Sequence, residues 1–422
     1  MGHYLKRNET IQPEPENLTT SAFLKKLTFR DVVFIVALAT KPLYFFRSGT
    51  LQLSDMLFAL LFLMVVFSGR PLFNDQKTTR WIACFFICLI YQFAVNAFWY
   101  YNVQTTLRAD TSFLKSTLYY VFNFLVCISI FQLASLRGFS YTLRLYLIGT
   151  ALSLFVAAIG VLLQYEGRGR ATGTFNNPNQ LGYFSIVILT AVTYFAKNIR
   201  PSIRILLVML CITLSIMSLS KASILATSVL LFAYFINSRD RIGAGKLVSV
   251  MLSIIAVGVL IYILMYADWE SLNEQQLIIS LRKRLGSITT ENDSALGASR
   301  GYDRMKEIGG WIVTGVGEGA NYRFLTMPGK EVHSLYASVI VSYGMIGFFT
   351  MTWLVGSAIT NNRSVIRSLL CFSGVLAYCV THNGVRSTLL WALIAMLLIT
   401  PERNDSSQKA IEPPASALGK SP

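Results

Sequence analysis

Long apolar runs separated by short polar connections make up most of the sequence. A bilayer core of roughly 30 Å is crossed by about 20 helical residues, and these runs have about that length with few charges inside them. The alternation of apolar and polar residues typical of barrel strands is absent. The pattern predicts an all-α bundle of about 12 transmembrane helices, at residues 31–47, 51–68, 81–100, 113–133, 141–163, 179–196, 201–219, 222–237, 246–267, 335–356, 364–381 and 384–400.

Composition supports a polytopic membrane protein. The chain has 422 residues, of which 54% are hydrophobic and only 14% charged, whereas soluble domains carry about 25% charged residues. The mean hydropathy is +0.52. In such an apolar chain the net charge of +16 is better explained by basic cytoplasmic loops and contact with anionic membrane lipids than by nucleic-acid binding. The six cysteines fall in apolar runs and are expected to pack as small apolar side chains.

The distribution of lysine and arginine sets the orientation. The two tails and the short connections on their side together carry most of these residues, so we assign that side to the cytoplasm. The predicted organisation is a cytoplasmic tail at 1–30, a transmembrane bundle at 31–400 with a long outer loop at 268–334, and a disordered cytoplasmic tail at 401–422.

Several basic residues oppose this rule because they lie at the outer ends of the apolar runs. Lys221 stands in Ser-Leu-Ser-Lys-Ala-Ser and Arg386 in Thr-His-Asn-Gly-Val-Arg, and Arg170 belongs to the same outer set. Charges this close to a membrane are costly and often functional. Each could instead snorkel to the headgroups or form an internal ion pair. Few acidic residues lie near these basic residues in the sequence, so we favour a binding site for an anion.

The long outer loop contains a basic amphipathic segment. Residues 274–285 repeat leucine at every fourth position, which predicts a helix lying on the membrane or under the bundle. Its cluster Arg282-Lys283-Arg284 suits lipid phosphate, and a solvated helix face is the alternative for the same residues.

Further along the loop, Arg300 and Arg304 are four residues apart, which places them on one face of a predicted helix. Two guanidinium groups on one face suit a pyrophosphate, which accepts several forked hydrogen bonds. Surface pairs with Asp303 or Glu307 are the alternative. The following Gly315-Val-Gly-Glu-Gly is expected to form a flexible turn, and not a dinucleotide loop, because no βαβ unit surrounds it.

His333 ends the loop at the start of the tenth apolar run. An imidazole there can titrate near neutral pH and act as a general base. A lone histidine is more often structural, but the outward arginines and lysines favour a function here. The acidic residues of the loop are scattered and do not suit a divalent ion, so we expect no metal and no cofactor.

Four segments, in sequence order, resemble the O-antigen ligase and O-antigen polymerase superfamily. Gly173-Thr-Phe-Asn-Asn-Pro-Asn is similar to its Gly-x-Phe-x-Asn-Pro-Asn segment, and Ser218-Leu-Ser-Lys-Ala-Ser to its Ser-Arg-Gly/Ala turn. Ala295-Leu-Gly-Ala-Ser-Arg, followed by a Gly-x-Gly turn, resembles the segment with its loop arginine. His333-Ser-Leu-Tyr and Ser342-Tyr-Gly-Met-Ile-Gly resemble its His-Asn…Gly-x-x-Gly element. Before these segments only the hydropathy profile fits.

The resemblance implies a C-type glycosyltransferase fold in the bacterial inner membrane, with the active site facing the periplasm. Such an enzyme moves a glycan from an undecaprenyl-pyrophosphate carrier. A ligase attaches it to the lipid A-core, and a polymerase attaches it to another lipid-linked glycan. The motifs align Lys221 and Arg300 with the two arginines of the family, and His333 with its histidine. Ser334 stands where the family has asparagine.

Together these residues predict direct, inverting, metal-independent glycosyl transfer. His333 would accept the proton of the attacking hydroxyl. The leaving pyrophosphate would be neutralised by a set of cations, namely Lys221, Arg300, Arg304, Arg386 and Arg170.

A polysaccharide transporter with 12 spans is the alternative from a different class of protein. It should show inverted or parallel repeats, and the two halves of this chain show no similarity. Its charges would gather near the membrane midplane, whereas here they gather at the outer ends. A structural assembly factor has no specific support.

Overall fold

The computed structural model describes residues 25–46, 50–68, 76–104, 112–164, 170–237, 300–361 and 365–400. Within these ranges the chain forms helices, short 3₁₀ turns and loops, and no strand, so the all-α prediction is confirmed for this part. The helices are α1 (Phe29–Ala39), α2 (Leu53–Val66), α3 (Gln76–Gln104), α4 (Ser112–Arg137), α5 (Phe139–Gln164), α6 (Pro178–Tyr194), α7 (Pro201–Met217), α8 (Lys221–Asn237), α9 (Arg304–Glu307), α10 (Leu335–Thr360), α11 (Val365–Thr381) and α12 (Thr388–Leu398).

Each predicted apolar segment within the described ranges contains one of the long helices. In the first and last segments the helix is shorter than the predicted apolar run. Helix α1 ends at Ala39 because Pro42, soon after it, disfavours helical backbone. Helix α12 begins only after its N-cap residue Ser387, because Ser387 first closes a turn with Gly384.

Some predictions fall outside the described residues. These are the apolar segment at 246–267, the amphipathic helix at 274–285 with its basic cluster, most of the first tail and the tail at 401–422.

Among the described helices, α3, α4, α5 and α10 are long and apolar enough to cross a membrane. Large apolar side chains are exposed on their outer faces, including Phe86, Ile87 and Ile90 on α3 and Leu162 and Leu163 on α5. Contiguous apolar surface of this kind is unfavourable in water and matches hydrocarbon. The chain therefore has the character of a helical membrane protein. The other apolar helices are shorter, and α12 spans only about 16 Å.

Two short helices form the centre of the bundle. Every residue of α12 is buried, and so is every residue of α6 from Leu181 to Tyr194. Helices that are apolar on all sides are expected in the core of a bundle. Helix α12 packs against α4, α6 and α10. The Trp391 indole N–H donates to the carbonyl of Val385 at 2.6 Å, which holds the turn before α12 against the core.

Helix α10 is broken at Gly344, which has φ +64° and ψ −168°. At the break the helix exchanges hydrogen bonds with the loop that precedes it. The carbonyl of Val341 accepts from the N–H of Val316 at 2.9 Å, and that of Ser342 accepts from Gly317 at 2.8 Å. Non-helical backbone is tolerated within a membrane bundle where protein surrounds it and satisfies its polar groups.

The segment Gly315-Val-Gly-Glu-Gly, expected to be a flexible turn, is buried and fixed in this arrangement. The Tyr91 hydroxyl donates to the carbonyl of Thr314 at 2.8 Å, and the Trp99 indole N–H donates to that of Gly315 at 3.1 Å. The glycines allow close packing, because a Cβ on Gly315 would overlap the backbone of Ser342. The segment is therefore part of the core and braces the broken helix.

The break in α10 can be tested with two alanine substitutions in the same helix. In Gly344→Ala the new Cβ would overlap the carbonyl oxygen of Val313, and the backbone conformation alone costs about 1–3 kcal/mol for a residue other than glycine. We expect the melting temperature in detergent, followed with a thiol-reactive dye at the buried cysteines, to fall by several degrees. Gly356→Ala is the control, since nothing lies within 4 Å of its added Cβ, and it should be neutral or slightly stabilising. Equal melting temperatures for the two variants would contradict the broken helix.

Candidate functional site

A cavity of about 420 Å³ opens at one end of the helix bundle. It is formed by the connection between α1 and α2, the start of α6, the segment before α10 and the turn between α11 and α12. The predicted orientation placed all these connections on the outer side, and the structure brings them together. The lining includes the aromatic rings of Tyr44, Phe175 and Tyr378 and the side-chain amides of Asn177, Asn179 and Asn383.

His333 lines this cavity with an exposed side chain. Its backbone N–H donates to the carbonyl of Arg300 at 3.1 Å. The next residue, Ser334, is the N-cap of α10, where its hydroxyl accepts from the N–H of Ala337, and it also bonds to the Tyr302 hydroxyl at 2.8 Å. Serine is one of the preferred N-cap residues. Ser334 thus fixes the backbone that carries His333.

The electrostatic surroundings of His333 favour its neutral form. Desolvation lowers the pKa of the imidazole below its usual value near 6.5, and the charges of Arg300 and Lys330 lower it further, while Glu331 opposes them. A histidine that is neutral at pH 7 has an unprotonated ring nitrogen and is able to accept a proton.

A second histidine, His382, lines the same cavity. Its ring stacks on Tyr378 with centroids 4.6 Å apart. Desolvation lowers its pKa to about 4, and Arg300, His333 and Arg170 also act in that direction. Sequence reasoning did not select His382, although it stands in the same Thr-His-Asn-Gly-Val-Arg segment as Arg386.

Arg300 and Arg304 do not share a helical face, so that prediction is wrong. The reason is Gly301, which has φ +82° and interrupts the helix between them, so that α9 begins only at Arg304. Arg300 stays beside the histidines, with its carbonyl bonded to His333 and its Nη1 donating to the carbonyl of Thr381 at 3.4 Å. The buried Nε of Arg300 has no hydrogen-bond partner within the described part of the chain.

Arg304 points into the protein and is 1% exposed. Its guanidinium donates to Oδ1 of Asn321 and to the carbonyls of Thr326, Met327 and Lys330 at 2.9–3.0 Å. It also lies 4.3 Å from the centre of the Phe324 ring. Arg304 therefore organises the loop before His333. The surface pairs weighed as an alternative are not made by either arginine, since Asp303 pairs with Lys306 and Glu307 accepts from two backbone N–H groups.

Arg170 contacts the turn between α7 and α8, which ends at Lys221, and neither residue lines the cavity. Arg170 donates through Nε to the carbonyl of Ser218 at 3.0 Å and through Nη2 to Oδ1 of Asn179 at 2.6 Å. Lys221 is the first residue of α8, three positions after Ser218. Because Asn179 lines the cavity, Arg170 links this turn directly to its wall.

Arg386 lines the cavity and forms ion pairs with two carboxylates, as the ion-pair alternative anticipated. It pairs with Glu318 and, at 3.1 Å, with Glu331. Glu318 is buried, and it also accepts a hydrogen bond from the Tyr343 hydroxyl at 2.9 Å. Sequence reasoning missed Glu318. It is a single acidic residue in an otherwise apolar, glycine-rich segment, and this isolation could have marked it as part of the site.

A second ion pair lies in the cavity lining, between Lys41 Nζ and Asp55 Oδ1 at 2.7 Å. Asp55 is an isolated acidic residue in an apolar run, and sequence reasoning did not connect it with the site. Charges in the lining are therefore balanced in pairs, Lys41 with Asp55 and Arg386 with Glu331.

The described residues contain no group of three or more His, Cys, Asp or Glu side chains that could hold a metal ion. The six cysteines are free thiols, and all except the half-buried Cys84 are buried.

Compared with known protein families and with curated proteins, the sequence matches no family model and no curated protein.

Proposed function

We propose that the protein is an O-antigen ligase-like glycosyltransferase. It crosses the bacterial inner membrane about 12 times in a C-type glycosyltransferase-like arrangement, with the cavity open to the periplasm. It moves a glycan from an undecaprenyl-pyrophosphate carrier to an acceptor sugar of the lipid A-core, without a metal and with inversion at the anomeric carbon. The observation that carries the proposal is the position of His333 at an amide- and aromatic-lined cavity, with Arg300 beside it and desolvation lowering its pKa.

The cavity lining suits the sugar rather than the phosphates. Aromatic rings pack against the apolar face of a sugar ring, and side-chain amides bind hydroxyl groups. The charged side chains of the lining are already paired, Lys41 with Asp55 and Arg386 with Glu331, which favours a polar ligand without net charge at this position.

His333 acts as the general base in this proposal. As the acceptor hydroxyl oxygen bonds to the anomeric carbon, its proton passes to the imidazole. The bond between that carbon and the phosphate oxygen breaks, and its electron pair leaves with the pyrophosphate. A positioned base of this kind contributes about 10²–10⁴-fold to the rate.

Arg300, Arg170 and Lys221 are the cations proposed to neutralise the leaving pyrophosphate. Arg300 and Arg170 are near enough to the cavity to act on His382, and the buried Nε of Arg300 has no partner among the described residues. Charge-assisted hydrogen bonds to the developing anion lower the barrier. Arg304 and Arg386 were predicted for the same role, and we now assign them to holding the loop and the cavity wall, because protein acceptors surround their guanidinium groups.

Deletion of the gene in its host tests the proposal and separates the alternatives. A ligase deletion leaves long glycan chains on the lipid carrier and surface lipid A-core without glycan, and a plasmid copy restores display. Single glycan repeats on the core would identify a polymerase. Unchanged carrier-linked and surface glycans would overturn both.

His333→Ala tests the base. We expect kcat to fall by about 10²–10⁴-fold, while the amount of protein in the membrane and its melting temperature stay near wild type, since the side chain is exposed. His3→Ala, the same substitution in the N-terminal tail, is the matched control and should keep full activity. Undiminished glycan display with His333→Ala would refute the assignment.

The pH profile tests the electrostatics of His333. Because desolvation and Arg300 lower its pKa, the active neutral form persists below pH 6.5, and the acid limb of kcat/KM should lie below that value. Arg300→Gln removes a nearby positive charge, so the pKa and the acid limb should move to higher pH. Glu331→Gln removes the charge that raises the pKa, so its limb should move the opposite way. Coincident limbs in the three proteins would rule out this control of His333.

A further inference from the structure

His382 is held in one orientation by a chain of contacts. Its ring stacks on Tyr378, with centroids 4.6 Å apart and planes at 27°. The Tyr378 hydroxyl donates to the carbonyl of Asn179 at 2.9 Å, and the side-chain oxygen of Asn179 accepts from Arg170 at 2.6 Å. Tyr183 packs against Tyr378, with centroids 4.9 Å apart. A ring fixed in this way is preorganised to bind a ligand in the cavity it lines.

Thr381 engages one of the two ring nitrogens of His382. The Thr381 hydroxyl donates to the carbonyl of Tyr378 at 3.4 Å, as hydroxyls in helices commonly do. Its oxygen also lies 2.9 Å from Nδ1 of His382. A hydroxyl has one hydrogen, so the tautomer that allows both contacts of Thr381 is the one with Nδ1–H as the donor. In that tautomer Nε2 is unprotonated, with a lone pair available to accept a hydrogen bond.

The charges around His382 keep this ring neutral. Besides burial, the groups that act on it are Arg300, Arg170 and His333, and each of them disfavours a second positive charge. A neutral imidazole has no net charge with which to attract a pyrophosphate. His333, with its exposed side chain, remains the better base, because His382 is the more strongly depressed of the two histidines.

We propose that His382 binds the acceptor sugar, with its Nε2 accepting a hydrogen bond from a hydroxyl of the acceptor near the one that reacts. This assignment rests on the proposed glycosyl transfer. The two histidines then have different roles. His333 accepts the proton of the attacking hydroxyl, and His382 positions the sugar that carries this hydroxyl.

Kinetics of the purified protein in nanodiscs test the assignment. In His382→Ala the KM for the acceptor should rise about 3- to 10-fold, as expected for one lost hydrogen bond. The KM for the carrier-linked donor and the acid limb of the pH profile should not change. His382→Gln places an amide oxygen, which accepts hydrogen bonds, near the position of Nε2 and should restore most of the acceptor affinity. An unchanged acceptor KM, or an acid limb that moves with His382→Ala, would overturn the proposal.

Nuclear magnetic resonance separates failure of this proposal from failure of the proposed function. The chain has three histidines, so ¹⁵N-histidine labelling gives few signals, which His382→Gln and His333→Ala assign. We expect the His382 ring to be the Nδ1–H tautomer and its Nε2 signal to shift on addition of core oligosaccharide released from lipopolysaccharide by mild acid. If wild type transfers glycan but this signal does not respond, the role of His382 is refuted. If wild type transfers no glycan, the proposed function is refuted, and the role of His382 that rests on it is refuted as well.

Discussion

The buried carboxylate of Glu318 is the constraint on which the site depends. An isolated charge within a protein is very unfavourable, so it must be paired and hydrogen-bonded. Glu318 pairs with Arg386 and accepts a hydrogen bond from Tyr343. These three residues belong to the loop before α10, to α10 itself and to the turn between α11 and α12. Satisfying one charge therefore fixes three elements relative to one another, and Arg386 becomes part of the cavity wall.

The same arrangement separates two electrostatic regions. Around the cavity, charged side chains are paired with opposite charges, as in Arg386 with Glu331. Arg170 and Arg300 do not line the cavity, but their positive charges act on His382 in its lining. A glycan on a pyrophosphate carrier has the same division, with polar uncharged sugars at one end and an anion at the other. The neutral histidines lie where the two regions meet, which is where a glycosyl bond would be exchanged.

Sequence reasoning located the helices because hydropathy is a local property, and each apolar segment in the described ranges holds a helix. His333 was singled out from its local motif, and the structure places it in the cavity lining with Arg300 beside it. The break at Gly344 and the burial of Glu318 were not predicted, because they depend on contacts between segments far apart in the chain. The spacing of Arg300 and Arg304 predicted a shared helical face, and this was wrong. Spacing carries no information about the left-handed backbone conformation of Gly301 between them.

The most direct measurement is transfer by the purified protein in liposomes, with a carrier-linked glycan and lipid A-core as the only substrates and a chelator in the buffer. The account predicts that the glycan appears on the core with inverted anomeric configuration, with release of one undecaprenyl pyrophosphate for each chain transferred. Movement of the carrier-linked glycan across the membrane without any transfer would contradict it and would indicate a transporter.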